Sequence, residues 1–220
     1  MNNKAWYEIS TQLQSSGAKL VAVSKTKSIE EILSLYNQGQ RVFGENKVQE
    51  LVEKQAALPK DIEWHLIGHL QTNKVKHIAP FASMIHSIDS LKLLVEVNKQ
   101  AAKANRIIPC LLQVYIAQEE TKFGLDEVEL IALLANEDFK QMHNIAICGL
   151  MGMASNTENA QQIHAEFASL KMLFDKLKHN YFKNKSEFKE ISMGMSSDYL
   201  IALQHGSTLV RIGSALFGKR

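Results

Sequence analysis

Lys19-Leu20-Val21-Ala22-Val23-Ser24-Lys25-Thr26-Lys27-Ser28-Ile29-Glu30-Glu31-Ile32-Leu33 is the stretch on which the reading of the fold turns. Its first part is a short apolar run that reads as a buried strand over residues 19–24. Its second part opens a helix over residues 29–38, with Ile29, Ile32, Leu33 and Tyr36 on one stripe. Ser28 followed three residues later by Glu31 makes a capping box at that helix start. Between strand and helix there is no Gly-x-Gly-x-x-Gly, the turn a dinucleotide-binding open sheet uses to approach a pyrophosphate. The turn carries lysines instead.

The same alternation continues to the end of the chain. Strands are predicted over 19–24, 41–45, 63–67, 84–88, 107–116, 145–151, 190–193 and 208–212. Apolar residues at three- and four-residue spacing predict helices over 91–105 and 160–177, and residues 2–15 read as an extra helix before the first strand. Eight strands alternating with helices predict a parallel sheet with helical crossovers. Pattern alone leaves two closures open, a (β/α)8 barrel or an open doubly wound sheet. At 220 residues the chain is slightly short for a barrel, ~250 being typical, so its loops must be short. No linker, internal repeat or low-complexity tract divides it. Only residues 180–188, rich in Lys and Asn, read as a solvated loop, and residues 1–220 are predicted to be one domain.

Composition narrows the function classes. Hydrophobic residues at 45% and charged residues at 22% suit a globular core, and a net charge of +2 with interspersed signs gives no nucleic-acid footprint. Cys110 and Cys148 lie in apolar runs and read as buried free thiols, with no further cysteine to build a zinc cluster. The N-terminus has no signal-peptide pattern, and the longest apolar run, 109–117, falls short of the ~20 residues a membrane helix needs. A cytoplasmic protein without a membrane anchor is expected.

In a barrel, functional residues sit at the C-terminal ends of strands. That rule selects 24–27, 44–46, 68–69, 87–89, 121–122, 151–153, 193–196 and 211–214. Lys25 follows the first strand directly. An amine beside an apolar interior is partly desolvated, which favours its neutral, nucleophilic form; the alternative is a solvated loop lysine. Ser196, Ser197 and Asp198 offer a cap for a helix over 199–203, whose free amides would suit an anion. Gly213 permits close approach of backbone to ligand, and the amides of Gly213 and Ser214 are further phosphate donors. Arg211 alternates with Leu209 and Gly213 against Val210 and Ile212, so it is expected to project into the barrel and to meet either an acid or a ligand acceptor.

Seven blocks taken together resemble the pyridoxal phosphate homeostasis protein family. They are Val-Ala-Val-Ser-Lys-Thr-Lys (21–27), Phe-Gly-Glu-Asn-Lys-Val-Gln-Glu (43–50), Trp-His-Leu-Ile-Gly-His-Leu-Gln-Thr-Asn-Lys (64–74), Lys-Phe-Gly (122–124), Gly-Leu-Met-Gly-Met-Ala (149–154), Ser-Met-Gly-Met-Ser-Ser-Asp (192–198) and residues 206–218. The resemblance implies a (β/α)8 TIM barrel like the N-terminal domain of alanine racemase. It implies pyridoxal 5′-phosphate (PLP) held as a Schiff base on Lys25. It places Asn46 along the cofactor ring, Met195, Ser196, Gly213 and Ser214 at the phosphate, and Arg211 at the pyridine nitrogen. An arginine there only donates hydrogen bonds, so the ring nitrogen stays unprotonated and the ring is a poor electron sink.

The chain ends at Arg220, just after the barrel, where racemases continue into a domain that supplies a tyrosine and a dimer contact. By the resemblance, the leading expectation is a monomeric PLP-binding protein of vitamin B6 and amino-acid homeostasis with little or no turnover of its own, PLP-requiring apoenzymes being the candidate recipients. The alternatives are a PLP-dependent amino-acid racemase or lyase, for which Lys27, His69 and Lys122 are the local candidates for a second proton-transfer group, and a cofactor-free Schiff-base aldolase. Lys27 and Lys122 are also candidate second stations for PLP.

Overall fold

A computed structural model describes residues 3–117 and 124–218. It resolves the open question of closure: eight parallel strands form a closed barrel in sequence order. They are β1 (Lys19–Val23), β2 (Val42–Glu45), β3 (Glu63–Leu66), β4 (Met84–Ile88), β5 (Ile108–Tyr115), β6 (Ile145–Met153), β7 (Glu190–Ser192) and β8 (Leu209–Ile212). The ring is shut by β1 against β8, with Lys19 opposite Leu209 and Val21 opposite Arg211. A connection of this kind needs helices outside the sheet. They are α1 (Asn3–Ser16), α2 (Ile29–Asn37), α3 (Val48–Ala57), α4 (Val75–Ile78), α5 (Leu91–Lys103), α6 (Glu127–Ala135), α7 (Glu137–Lys140), α8 (Ala160–Asn180), α9 (Tyr199–Gln204) and α10 (Ser214–Phe217).

Each strand sorts its residues by parity. On β8, Val210 and Ile212 join the large core between barrel and helices, whereas Leu209 packs inside the barrel with Val21, Leu111, Cys148 and Met151. The capping box at α2 forms as the sequence indicates, Ser28 accepting from the Glu31 amide and Glu31 from the Ser28 amide. The two thiols are buried and unpaired. Burial raises both, Cys148 to about 11, which leaves them unreactive at neutral pH. Among the described residues, no helix is long and apolar enough to cross a membrane, and no group of three or more His, Cys, Asp or Glu is placed to hold a metal ion.

Candidate functional site

The strand ends enclose a cavity of about 380 Å³. Lys25, Asn46, Met195, Ser196, Arg211, Gly213 and Ser214, singled out from the sequence, all line it. They come from the ends of β1, β2, β7 and β8, and Ile67 and Met153 close the apolar side.

Lys25 sits in a turn over residues 24–27, closed by the Lys27 amide on the Ser24 carbonyl at 3.0 Å. Thr26 at the third position has φ +62°, the left-handed region that a β-branched residue adopts only under restraint. The restraint is visible. The Thr26 amide donates to Glu50 Oε2 at 2.8 Å. Lys54 Nζ donates to the Ser24 carbonyl at 2.8 Å, to Glu45 Oε1 at 2.7 Å and to Glu50 Oε2 at 3.3 Å. Ser24 Oγ donates to Glu45 Oε1 at 2.7 Å. An ionic clamp from β2 and α3 thus holds the turn on both sides of Lys25. Burial pushes the Glu45 carboxyl up despite Lys54 and Ser24, and among the described residues its second oxygen has no hydrogen-bond partner. Glu50 is also raised by burial, but the Thr26 amide and Lys54 outweigh that and hold it below the usual carboxylate range. Among the described residues, no group pairs with the Lys25 ammonium, so it is available to a ligand.

Lys27 shares the cavity wall but is committed elsewhere. Its Nζ bonds Glu31 Oε1 at 3.2 Å and the Phe217 carbonyl at 3.3 Å, above the Phe217 ring. His69 does not line the cavity. It is exposed, contacts Asp89 Oδ2 at 3.2 Å and borders a separate groove beyond Asn46. Lys122 lies outside the described residues.

The opposite end of the cavity is built from β7 and β8. Gly194 takes φ +94° with Ala202 only 2.6 Å from where a Cβ would stand, so the chain passes close over α9 and delivers Met195 and Ser196 to the cavity. Ser196 Oγ accepts the amides of Gly213 at 3.3 Å and Ala215 at 3.5 Å. One sequence expectation is corrected here. Asp198 occupies the N-cap position of α9, yet none of 196–198 caps it through a side chain, because the Asp198 carboxylate accepts the Met195 amide at 2.5 Å instead. The Gly213 and Ala215 amides converge on Ser196 Oγ, Ser214 between them lines the cavity, and at Gly213 itself an added Cβ would lie 3.2 Å from the Val23 carbonyl.

Arg211 enters the barrel as its alternation requires and is 4% exposed. It meets no acid within ion-pair distance among the described residues. Nη1 donates to Ser192 Oγ at 2.7 Å and Nη2 to the Gly152 carbonyl at 3.1 Å. Burial lowers its pKa to about 10, opposed by the more distant Asp198, so it stays charged at neutral pH.

Fold and cavity together define the class, a barrel of the alanine racemase N-terminal type, and the family model for "Alanine racemase, N-terminal domain" matches residues 4–220. The chain is 41% identical over 204 residues to the pyridoxal phosphate homeostasis protein of Aquifex aeolicus, covering 92% of this chain and 87% of that one. Its counterpart from Helicobacter pylori is 39% identical over 201 residues, covering 90% and 86%. This chain belongs to the pyridoxal phosphate homeostasis protein family. Among solved structures it is similar to PipY of Synechococcus elongatus without PLP, with a TM-score of 0.90, 35% identity and coverage of 98% and 99%. The same protein solved with PLP bound gives 0.87. An alanine racemase from Bartonella henselae, 19% identical over 60% of its own length with a TM-score of 0.72, shares the fold.

Proposed function

We propose that this chain binds PLP through a Schiff base to Lys25 and serves PLP and amino-acid homeostasis in the cytoplasm as a monomer, holding the cofactor more than turning over a substrate. The observation that carries this reading is the convergence of Lys25, a hydroxyl-and-amide pocket at Ser196 and Gly213, and a buried donor at Arg211 on one cavity. When bound, PLP supplies an aldehyde that condenses with amines and a ring that withdraws electrons from the adduct.

The residues present fit that group. A phosphate oxygen can take the Gly213 and Ala215 amides that Ser196 Oγ now accepts, leaving the Ser196 hydroxyl free to donate. Gly213 keeps the Val23 side of this cradle open, where a Cβ would crowd. Asn46 lines the same cavity as Lys25 and Arg211, and Arg211 offers a ring nitrogen a donor that keeps its proton at neutral pH. Ile67 and Met153 give the cavity an apolar wall. Lys27, the candidate second proton-transfer group that lines the cavity, is engaged by Glu31 and the Phe217 carbonyl, which supports holding over turnover.

Reduction of the PLP-loaded protein with borohydride, followed by peptide mass mapping, tests the assignment. The expected product carries the cofactor on Lys25. Label on Lys27 or Lys122 in its place would overturn the site, and steady racemisation or cleavage of an amino acid by the loaded protein would overturn the holding role.

A further inference from the structure

Four polar side chains run through the barrel interior beneath the cavity, where such a core is ordinarily filled by branched apolar residues. Arg211 on β8 donates to Ser192 Oγ on β7 at 2.7 Å. Ser192 Oγ lies 2.9 Å from His86 Nδ1 on β4. His86 Nε2 lies 2.9 Å from His65 Nδ1 on β3. Ser192 and His86 are fully buried, and His65 and Arg211 are each 4% exposed.

The donors in this chain can be assigned from one end. A guanidinium only donates, so Ser192 Oγ accepts from Arg211. Ser192 is fully buried and, among the described residues, its hydroxyl hydrogen has no acceptor besides its other neighbour, His86 Nδ1, so it is directed there. His86 must carry its proton on Nε2 and give it to His65 Nδ1, which puts the His65 proton on Nε2 as well. A second proton on His86 would point two donors at one another beside a buried guanidinium. Burial, reinforced by Lys19 at His65 and by His65 and Arg211 at His86, keeps both rings neutral. Each member is oriented by the one behind it. The Ser192 lone pair faces Arg211 because its hydrogen is committed to His86, and His86 accepts at Nδ1 because its Nε2–H is committed to His65.

We propose that Ser192, His86 and His65 are positioning residues for Arg211, a one-way hydrogen-bond chain that fixes its guanidinium at the cavity floor as a donor-only group. The consequence for a bound ligand rests on the PLP reading above, whereas the chain itself does not.

Nitrogen-15 NMR of the protein without PLP decides the chain. Both rings are expected as neutral Nε2–H tautomers, with slowly exchanging Arg211 side-chain signals. An Nδ1–H tautomer or a cationic ring on His86 at neutral pH would overturn the proposal, whether or not any variant folds. Ser192→Ala and His86→Phe then test its effect. Each is expected to broaden the Arg211 signals, shift the absorbance band of bound PLP and weaken PLP binding about ten-fold, as loss of one bond to a charged group does. Because they act through one chain, the double variant should bind no more weakly than the worse single variant. Folded variants with wild-type Arg211 signals, affinity and spectrum would overturn it. A wild-type protein that takes up no PLP would defeat the functional reading instead, and the tautomers and Arg211 signals would still decide the chain.

Discussion

Thr26 holds a backbone conformation that costs a β-branched residue about 1–3 kcal/mol, and its amide is tied to Glu50 while Lys54 grips the carbonyl before Lys25. Removing Lys54 leaves Glu45 buried without its cation. Lys54→Met should therefore cost about 3–5 kcal/mol at neutral pH. The sign of its pH dependence follows from Glu45, whose folded pKa is raised by burial. Such a carboxyl destabilises the fold as pH rises through that pKa, so the Lys54→Met deficit in urea unfolding should be larger at pH 8 than at pH 5. The histidines act in the opposite direction. His65, lowered to about 3, and His86, also lowered, are neutral in the fold but take protons when unfolded. Stability should fall as pH drops below about 6.5, by up to about 1.4 kcal/mol per pH unit for each ring, and His86→Phe should remove one proton's worth of that slope. Strand-end position and alternation, both local signals, placed Lys25 and Arg211 at the cavity, whereas their cofactor roles follow only from the family resemblance. The Glu45–Lys54 clamp and the histidine chain were not legible in the sequence, since their partners lie 9, 21 and 106 residues apart. The available signal was a polar residue at an inward position of a buried strand, as at His65, His86 and Ser192.

At the scale of elements, apolar patterning placed all eight strands and α1, α2, α5 and α9 to within two residues. Helix α8 runs three residues beyond its expected end, α3, α4, α6, α7 and α10 had no range from the sequence, and the capping box fixed where α2 begins. Loop donors were harder to read. Ser196, Ser197 and Asp198 have the composition of a helix cap, but Gly194 at φ +94° turns the chain so that Asp198 reaches back to the Met195 amide and Ser196 reaches across to β8. That turn is sensitive to a single carbon. Gly194→Ala would place a methyl 2.6 Å from Ala202 in a conformation L-residues avoid. A loss of about 2–4 kcal/mol is expected from the strain and overpacking together. Calorimetry would check the stability, and a phosphate-competition assay should show weakened PLP binding even where the variant remains folded.

For the whole molecule, closure was the one feature the strand pattern left undecided, because open and closed parallel sheets use the same alternating units. The β1–β8 register settles it and brings the first and last strands together, so that residues some 190 positions apart in sequence, Lys25 and Gly213, face one cavity. The direct test of that arrangement as a cofactor holder is the absorbance spectrum of the PLP-treated, desalted protein beside that of Lys25→Ala. A yellow wild type, a colourless variant of equal thermal stability and no turnover of D- or L-amino acids are the expected result. A colourless wild type, or a variant as yellow as the wild type, would contradict the account.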